Sequence, residues 1–413
     1  MLEGRRIVLG VCGGIAAYKA VEVCRRLVDA GAHVSPVLTD DALRFVGALT
    51  FSALGSEPAR TSLWDTPDPI PHTRLGQGAD LVLIAPATAH LLGRYTHGLA
   101  DDLLTNTLLA TRAPVLVCPA MHTEMWEQPA VQENLATLRS RGVHVVPPEE
   151  GRLAGGDVGA GRLADPATIV AAAERVLGPH DLDGVSVLVT AGGTREPIDP
   201  VRVITNRSSG KQGHAIAAEA VRRGADVTLV TTTDRPVPPG VVEVVHVGSA
   251  AEMQAAVVPR AAGCDVVVMA AAVADFRPAA PADRKIKKTD DGGVPELVLE
   301  RTHDFLVDLG QAKPPHQVLV GFAAETDDLR PNATRKLEGK RLDLIVANDV
   351  SAPGAGFEHD TNAVVIIEAS GSVHDVPLTH KRAIAGAVLD AVVRVRRTLT
   401  SRETEPSPTQ EQT

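Results

Sequence analysis

Two glycine turns, three spaced lysines and a few isolated histidines and asparagines are the residues whose types and spacing could do chemistry in this sequence. Gly13 and Gly14 follow the apolar run RIVLGV, and Gly192 and Gly193 close VSVLVTAGG. At the end of a buried strand, glycine lets the backbone approach a phosphate, while the next helix offers unpaired N–H donors and positive potential. Such turns are equally the ordinary connections of a parallel sheet. Neither matches the dinucleotide fingerprint: Gly10, Gly13 and Gly14 miss the G-x-G-x-x-G spacing, and no well-placed acidic residue closes the second strand as ribose binding would require. The Walker pattern fails as well, because Gln212 follows Gly210-Lys211 and Thr205 stands where the leading glycine belongs. These absences argue against a nicotinamide-dependent dehydrogenase and a P-loop ATPase.

Lys285 in KIKK and the pair Lys336 and Lys340 are mobile point charges suited to phosphate groups. Read alone, KIKK is also a solvated charge run, and Lys336 with Lys340 an exposed i, i+4 helix face. His72 in PHTRL titrates in the range a general base needs, or is a surface loop histidine. Asn206 is either a ligand-holding amide or a turn residue. Aromatic residues make up only 2% of the chain, so Phe322 and Trp126 stand out as the few rings available for stacking.

The elements that position these residues alternate in type. A strand at 6–11, a helix at 15–30 and a strand at 33–39 are followed by further strand and helix pairs through VHVVPP. The polar segment GPHDLDG then interrupts, and the alternation restarts at 185 and ends in a helix at 379 to about 397. This pattern predicts an α/β chain of two fused domains, 1–178 and 184–398, each a parallel sheet flanked by helices, with a linker at 179–183. The apolar-poor segment 399–413 predicts a disordered tail.

Length and composition agree with two cores: 413 residues, 44% hydrophobic and 22% charged. A formal charge of −10 argues against a nucleic-acid surface. Cys12, Cys24, Cys118 and Cys264 form no C-x-x-C pair, as expected for reduced thiols in a cytoplasm and not for a disulfide framework or structural zinc. The N-terminal apolar run breaks at Gly13, too early for a signal peptide or membrane span, so a soluble protein is expected.

Longer motifs make the reading specific. GGIAAYK, PHTRL, APATAHLLGRYTHGLADDLLTNTLLA, PAMHTEMW and GDVGAGRL together resemble the flavin-dependent cysteine decarboxylases. VTAGGTREPIDPVRVITNRSSGKQG, MAAAVADFRP, KIKK, GFAAET and ANDVS resemble the phosphopantothenate-cysteine ligases. The order of the halves is that of the bacterial bifunctional enzymes of coenzyme A biosynthesis. The resemblance implies a flavodoxin-like FMN half and a Rossmann-like ligase half. It implies activation of 4'-phosphopantothenate with CTP and Mg²⁺ to an acyl-cytidylate, attack by cysteine, and FMN-dependent oxidative decarboxylation to 4'-phosphopantetheine. By the same resemblance Gly14, Ile15, Thr39, Ala87 and Thr88 line the FMN site, with Met125 beside it, and His72 stands next to the reacting thiol. Asp275 and Phe322 contact the cytidine, Lys285, Lys336 and Lys340 hold the triphosphate, and Asn206 binds the acyl-cytidylate carbonyl. Met125 and Trp126 are otherwise core residues. The family also implies homo-oligomers, dimers through the ligase half and trimers through the flavin half.

Two positions depart from that pattern. His122 replaces the asparagine that holds the substrate carboxylate, and an imidazole donates a hydrogen bond there equally well. Gly155 replaces a flap cysteine that assists the last reduction, and 150–163 contains no thiol. Cys118 and Cys12, next to PAMH and the glycine turn, are the thiols nearest in sequence to the flavin motifs, or plain strand residues. Besides the full bifunctional enzyme, the departures leave open a ligase joined to an impaired flavin half, and a non-catalytic regulatory protein of the flavin fold.

Overall fold

The structure, a computed structural model, describes residues 2–64, 68–287, 296–325, 328–349 and 359–404. Lys288 of KIKK, Thr326 of GFAAET, Val350 and Ser351 of ANDVS, and 405–413 of the expected tail lie outside the described residues. The chain forms two compact units that divide between Pro179 and His180. The segment read as a linker is anchored in the second unit: Leu182 is buried, and both oxygens of the Asp181 carboxylate accept from Arg223 at 2.7 and 2.8 Å.

The first unit runs β1 (Arg6–Val11), α1 (Ala17–Asp29), β2 (His33–Leu38), α2 (Ala48–Leu54), α3 (Pro71–Gly78), β3 (Leu81–Ala87), α4 (Ala89–His97), α5 (Leu103–Ala110), β4 (Val115–Pro119), α6 (Thr123–Trp126), α7 (Pro129–Ser140), β5 (His144–Val145), β6 (Glu149–Arg152), β7 (Val158–Arg162) and α8 (Pro166–Val176). Its main sheet is five-stranded, order β2-β1-β3-β4-β5, and wholly parallel. The alternation of side chains along β1 explains the two helical layers. Ile7, Leu9 and Val11 pack with Leu27 of α1 and Ile169 of α8, whereas Val8 packs with Leu91, Leu104 and Leu135 on the other face. Burial on both faces is why the strands read as continuous apolar runs. The order β2-β1-β3 puts the switch point of the sheet at the carboxyl end of β1, where α/β sheets open a crevice.

The second unit runs β8 (Ser186–Ala191), β9 (Arg195–Pro197), β10 (Val203–Thr205), α9 (Lys211–Arg222), β11 (Asp226–Thr231), β12 (Glu243–His246), α10 (Ala250–Ala261), β13 (Val266–Met269), β14 (Phe276–Pro278), β15 (Leu299–Arg301), α11 (Phe305–Ala312), β16 (Val318–Glu325), α12 (Leu329–Gly339), β17 (Leu344–Asp349), β18 (Thr361–Glu368), β19 (Val373–His380) and α13 (Lys381–Thr404). Its eight-stranded sheet has the order β12-β11-β8-β13-β16-β17-β18-β19. It is parallel from β12 to β17, but β18 and β19 run antiparallel, so the expectation of a parallel sheet throughout this half is corrected at one edge. For the last pair the cause is local: β18 and β19 are joined by the short turn around Gly371, and a turn of that length reverses the chain. The last helix continues to Thr404, past the 398 limit expected from composition. Among the described residues no helix is long and apolar enough to cross a membrane.

Candidate functional site

The second unit contains a cavity of about 680 Å³ at the carboxyl ends of its central strands. Its lining includes Asn206, Asp275, Phe322, Lys336 and Lys340, five residues separated by up to 134 positions in the sequence and singled out from it. Asn206 sits in the loop between β10 and α9, and its amide donates to the carbonyls of Ala272 and Val273 at 3.4 and 3.1 Å. That bond ties the loop before α9 to the loop after β13. Close approach of the loop after β8 to the Asn206 loop requires Gly193, where a Cβ would lie 2.7 Å from the Asn206 carbonyl oxygen. Gly210 caps α9 with φ +74°, a conformation open to glycine at no steric cost. The turn is therefore more than a connection: it delivers the N-terminus of a 12-residue helix to the cavity wall.

The lysines are held by carboxylates. Lys336 Nζ lies 2.7 Å from Glu325 Oε1, and Lys340 Nζ lies 2.7 Å from Asp304 Oδ2. Both side chains keep part of their surface in water, so the pairs are weak tethers that an anionic ligand would displace. The Thr302 hydroxyl, also in the lining, is buried with no hydrogen-bond partner among the described residues. A buried hydroxyl without a partner is costly unless a ligand or water answers it. Lys285 is not brought into this lining; it stands exposed beside Ile286, whose N–H donates to Asp199 at 3.1 Å. Asp199 also receives Arg202, and that guanidinium beside it holds its carboxyl well below the usual range.

Lys381 lines the same cavity and was read from the sequence only as the beginning of a helix. It is buried, and burial together with the charge of Lys211 pulls its ammonium down to about 8. Lys211 in turn pairs with Asp360 at 2.7 Å. The cavity wall thus carries lysines on α9, α12 and α13 and just beyond α12, a charge pattern suited to a polyanion.

In the first unit the expected residues gather at the carboxyl ends of three adjacent strands. Gly14 and Ile15 follow β1, Thr39 follows β2, and Ala87 and Thr88 end β3. Thr39 N–H donates to Val11 O at 3.1 Å, and its hydroxyl accepts from Ala42 N–H at 3.3 Å. Thr88 caps α4 by accepting from Leu91 N–H at 3.3 Å. Gly13 is pressed against Asp41 with no room for a Cβ, whereas a Cβ on Gly14 would meet only open space. The side chain of Ile15 is exposed beside it. His72 opens α3, and its Nδ1 is buried without a partner among the described residues.

His122 immediately precedes α6, and Met125 within it is half exposed, while Trp126 packs against the core. The hairpin β6–β7 lies against this segment: Gly161 O accepts from Met121 N–H at 3.0 Å, and Gly159 abuts Thr123 Oγ1. The hairpin went unread in the sequence because EEGR and VGAGR carry no apolar alternation. The two remaining thiols of interest are both buried. Burial pushes Cys12 up to about 12 and raises Cys118 as well, so neither is an accessible acid. No cluster of three or more metal-ligating side chains is present among the described residues.

Comparison with known proteins accounts for both halves. Residues 1–178 match the family described as Flavoprotein, and residues 182–395 match the DNA/pantothenate metabolism flavoprotein C-terminal domain. The chain is 50% identical over 404 residues to the coenzyme A biosynthesis bifunctional protein CoaBC of Mycobacterium bovis, covering 94% of this chain and 96% of that protein. Its identity to the protein of the same name in Bacillus subtilis is 45% over 398 residues, covering 95% and 97%. A solved C-terminal domain of a protein of that name matches 53% of this chain and 99% of its own at 40% identity, with a TM-score of 0.45.

Proposed function

Because the chain belongs to the bifunctional CoaBC family of coenzyme A biosynthesis, we infer that it is an enzyme with two activities, a phosphopantothenate-cysteine ligase and a phosphopantothenoylcysteine decarboxylase. The observation that carries this is identity of 44 to 50% to curated relatives over about the full length of both partners. An impaired or regulatory flavin fold is not favoured, since both halves match in tandem over nearly the full length of the bifunctional relatives.

In the ligase half the substrates are 4'-phosphopantothenate, cysteine and CTP, with Mg²⁺ carried on the triphosphate. A carboxylate is a poor acyl donor, and cytidylation converts it into one. Lys336, Lys340 and Lys381 neutralise the phosphates, a role for which mobile point charges suffice. Asp275 and Phe322 receive the base and sugar, and Asn206 holds the acyl carbonyl through its amide. The Thr302 hydroxyl gains the partner it lacks among the described residues.

In the other half the residues fit FMN. The loops after β1, β2 and β3 lie at adjacent strand ends around the open cradle at Gly14, and Ile15 offers an exposed apolar side chain to a ring system. FMN supplies two-electron oxidation of the cysteine thiol, which makes the adjacent carboxylate easy to lose. Gly14, Ile15, Thr39, Ala87, Thr88 and Met125 hold it. His72, with its unanswered Nδ1, orients or deprotonates the thiol, and His122 holds the carboxylate. A cytoplasmic homo-oligomer is part of the same reading.

Mass spectrometry of the products from 4'-phosphopantothenate, cysteine, CTP and Mg²⁺ tests it, with Asn206→Ala as control. The expected product is 4'-phosphopantetheine, absent from the control. Accumulation of 4'-phosphopantothenoylcysteine in the wild type would restrict the chain to ligation.

A further inference from the structure

The two departures from the decarboxylase pattern, His122 and Gly155, meet in space. A Cβ built on Gly155 lies 3.5 Å from His122 Nε2, an ordinary van der Waals contact, so a side chain at 155 would stand directly beside the imidazole. The same Nε2 lies 3.2 Å from Asp157 Oδ2 on the β6–β7 hairpin, and Nδ1 contacts Glu124 Oε2 on its own segment. Glu124 and Asp157 are the charged groups facing the ring. The hydrogen bond that the ring donates to the Glu124 carboxylate, and then that to Asp157, raise His122 above its ordinary range, which favours an imidazolium that has a proton to give.

Resting on the decarboxylase reading above, we propose that His122, positioned by Asp157, combines carboxylate binding with proton donation and thereby makes a thiol at position 155 unnecessary. The chemistry follows from where the carboxylate leaves. The carbon to be protonated is the one that carried CO₂, so a group that holds the carboxylate stands beside that carbon once CO₂ has gone. Asparagine holds a carboxylate but has no proton to release at neutral pH, and a second residue must then serve as the acid. Imidazolium does both.

Loss of CO₂ from the oxidised substrate leaves an enethiolate, ⁻S–CH=CH–NHR. The C=C pair takes the proton from His122 Nε2 to form the new C–H bond, and a sulfur lone pair closes the C=S bond. The product is the thioaldehyde S=CH–CH₂–NHR, and the imidazole is left neutral, to be reprotonated from water. No electrons enter or leave in this step. The two that later reduce the C=S bond are those withdrawn from the same substrate before decarboxylation.

The test compares the flavin-loaded wild type, His122→Asn, and His122→Asn with Gly155→Cys, each supplied with 4'-phosphopantothenoylcysteine and followed by CO₂ release and product mass. The expected result for His122→Asn is continued CO₂ release with the reductive step slowed by about 100-fold or more, so that the oxidised enethiol is released. The added cysteine restores 4'-phosphopantetheine. Unchanged 4'-phosphopantetheine from His122→Asn overturns the proposal, as does loss of CO₂ release, which would confine His122 to substrate holding. Failure of the Gly155→Cys change to rescue overturns the pairing of the two positions. Independently of turnover, NMR titration of the His122 ring should move to lower pH in Asp157→Asn; an unmoved ring removes Asp157 from the account. A wild type that releases no CO₂ fails the decarboxylase reading itself, not this refinement.

Discussion

The two units place their chemistry at the same edge of a parallel sheet but finish their sites differently. The second unit surrounds a cavity with side chains from its own loops and helices, and its lysines already have carboxylate partners. The first presents strand-end loops with Ile15 64% and Tyr18 62% exposed, and a His72 nitrogen left without a partner among the described residues. The difference matches the proposed ligands: a triphosphate would be gripped by point charges that can be parked in ion pairs, whereas a flavin would be met by apolar surface.

If the sites are separate, they can be broken separately. Asn206→Ala should lower ligation by at least about 100-fold while decarboxylation of supplied 4'-phosphopantothenoylcysteine is unchanged, and His72→Asn should do the reverse. Steady-state kinetics of each half-reaction decides, and loss of both from either change would mean one composite site.

Folding should divide along the same line. Gly13→Ala forces a Cβ onto Asp41 and should destabilise the first unit by roughly 1–3 kcal/mol, seen in calorimetry as a lower transition for that unit alone. Movement of the ligase transition by the same amount would show that the two cores melt as one.

Lys381 sharpens the electrostatic side of the contrast. Burial and then the charge of Lys211 bring its ammonium down to about 8, and a bound polyanion moves it back towards the ordinary lysine range. Nucleotide affinity should therefore be flat below pH 8 and fall by about tenfold as the pH rises towards 10, with proton uptake on binding. Burial also penalises the charged form, so below pH 8 Lys381 costs stability, and the cost fades as the pH rises above 8. Lys381→Met should remove the slope in a calorimetric titration; an unchanged slope would assign it to another group. The smallest effect is expected at Lys340→Ala. Its KM for CTP should rise about 3–10-fold, with less than about 1 kcal/mol lost in stability because its pair with Asp304 is partly exposed.

Much of this architecture was legible because buried parallel strands and their helices carry strong periodicity. VSVLVTA and RIVLGV name their strands, and glycines mark their ends. What stayed hidden lacked apolar payload. β19, VHDVPLTH, is an edge strand with mostly exposed residues, and β6–β7 is a surface hairpin. Lys381 gave no signal because its burial depends on Lys211 and Gln212 arriving from α9, some 170 residues earlier. Lys285 illustrates the converse. Its charge run stood out in the sequence, but the described surroundings leave it exposed and outside the cavity.

The central claim is that one chain carries two complete sites that act in succession. Mixing the Asn206→Ala and His72→Asn proteins, each inactive in the full route from 4'-phosphopantothenate, tests it most directly. The expected result is 4'-phosphopantetheine from the mixture, because the intermediate released by one protein is used by the other. Absence of 4'-phosphopantetheine from the mixture, with each variant still competent in its remaining half-reaction, would contradict it.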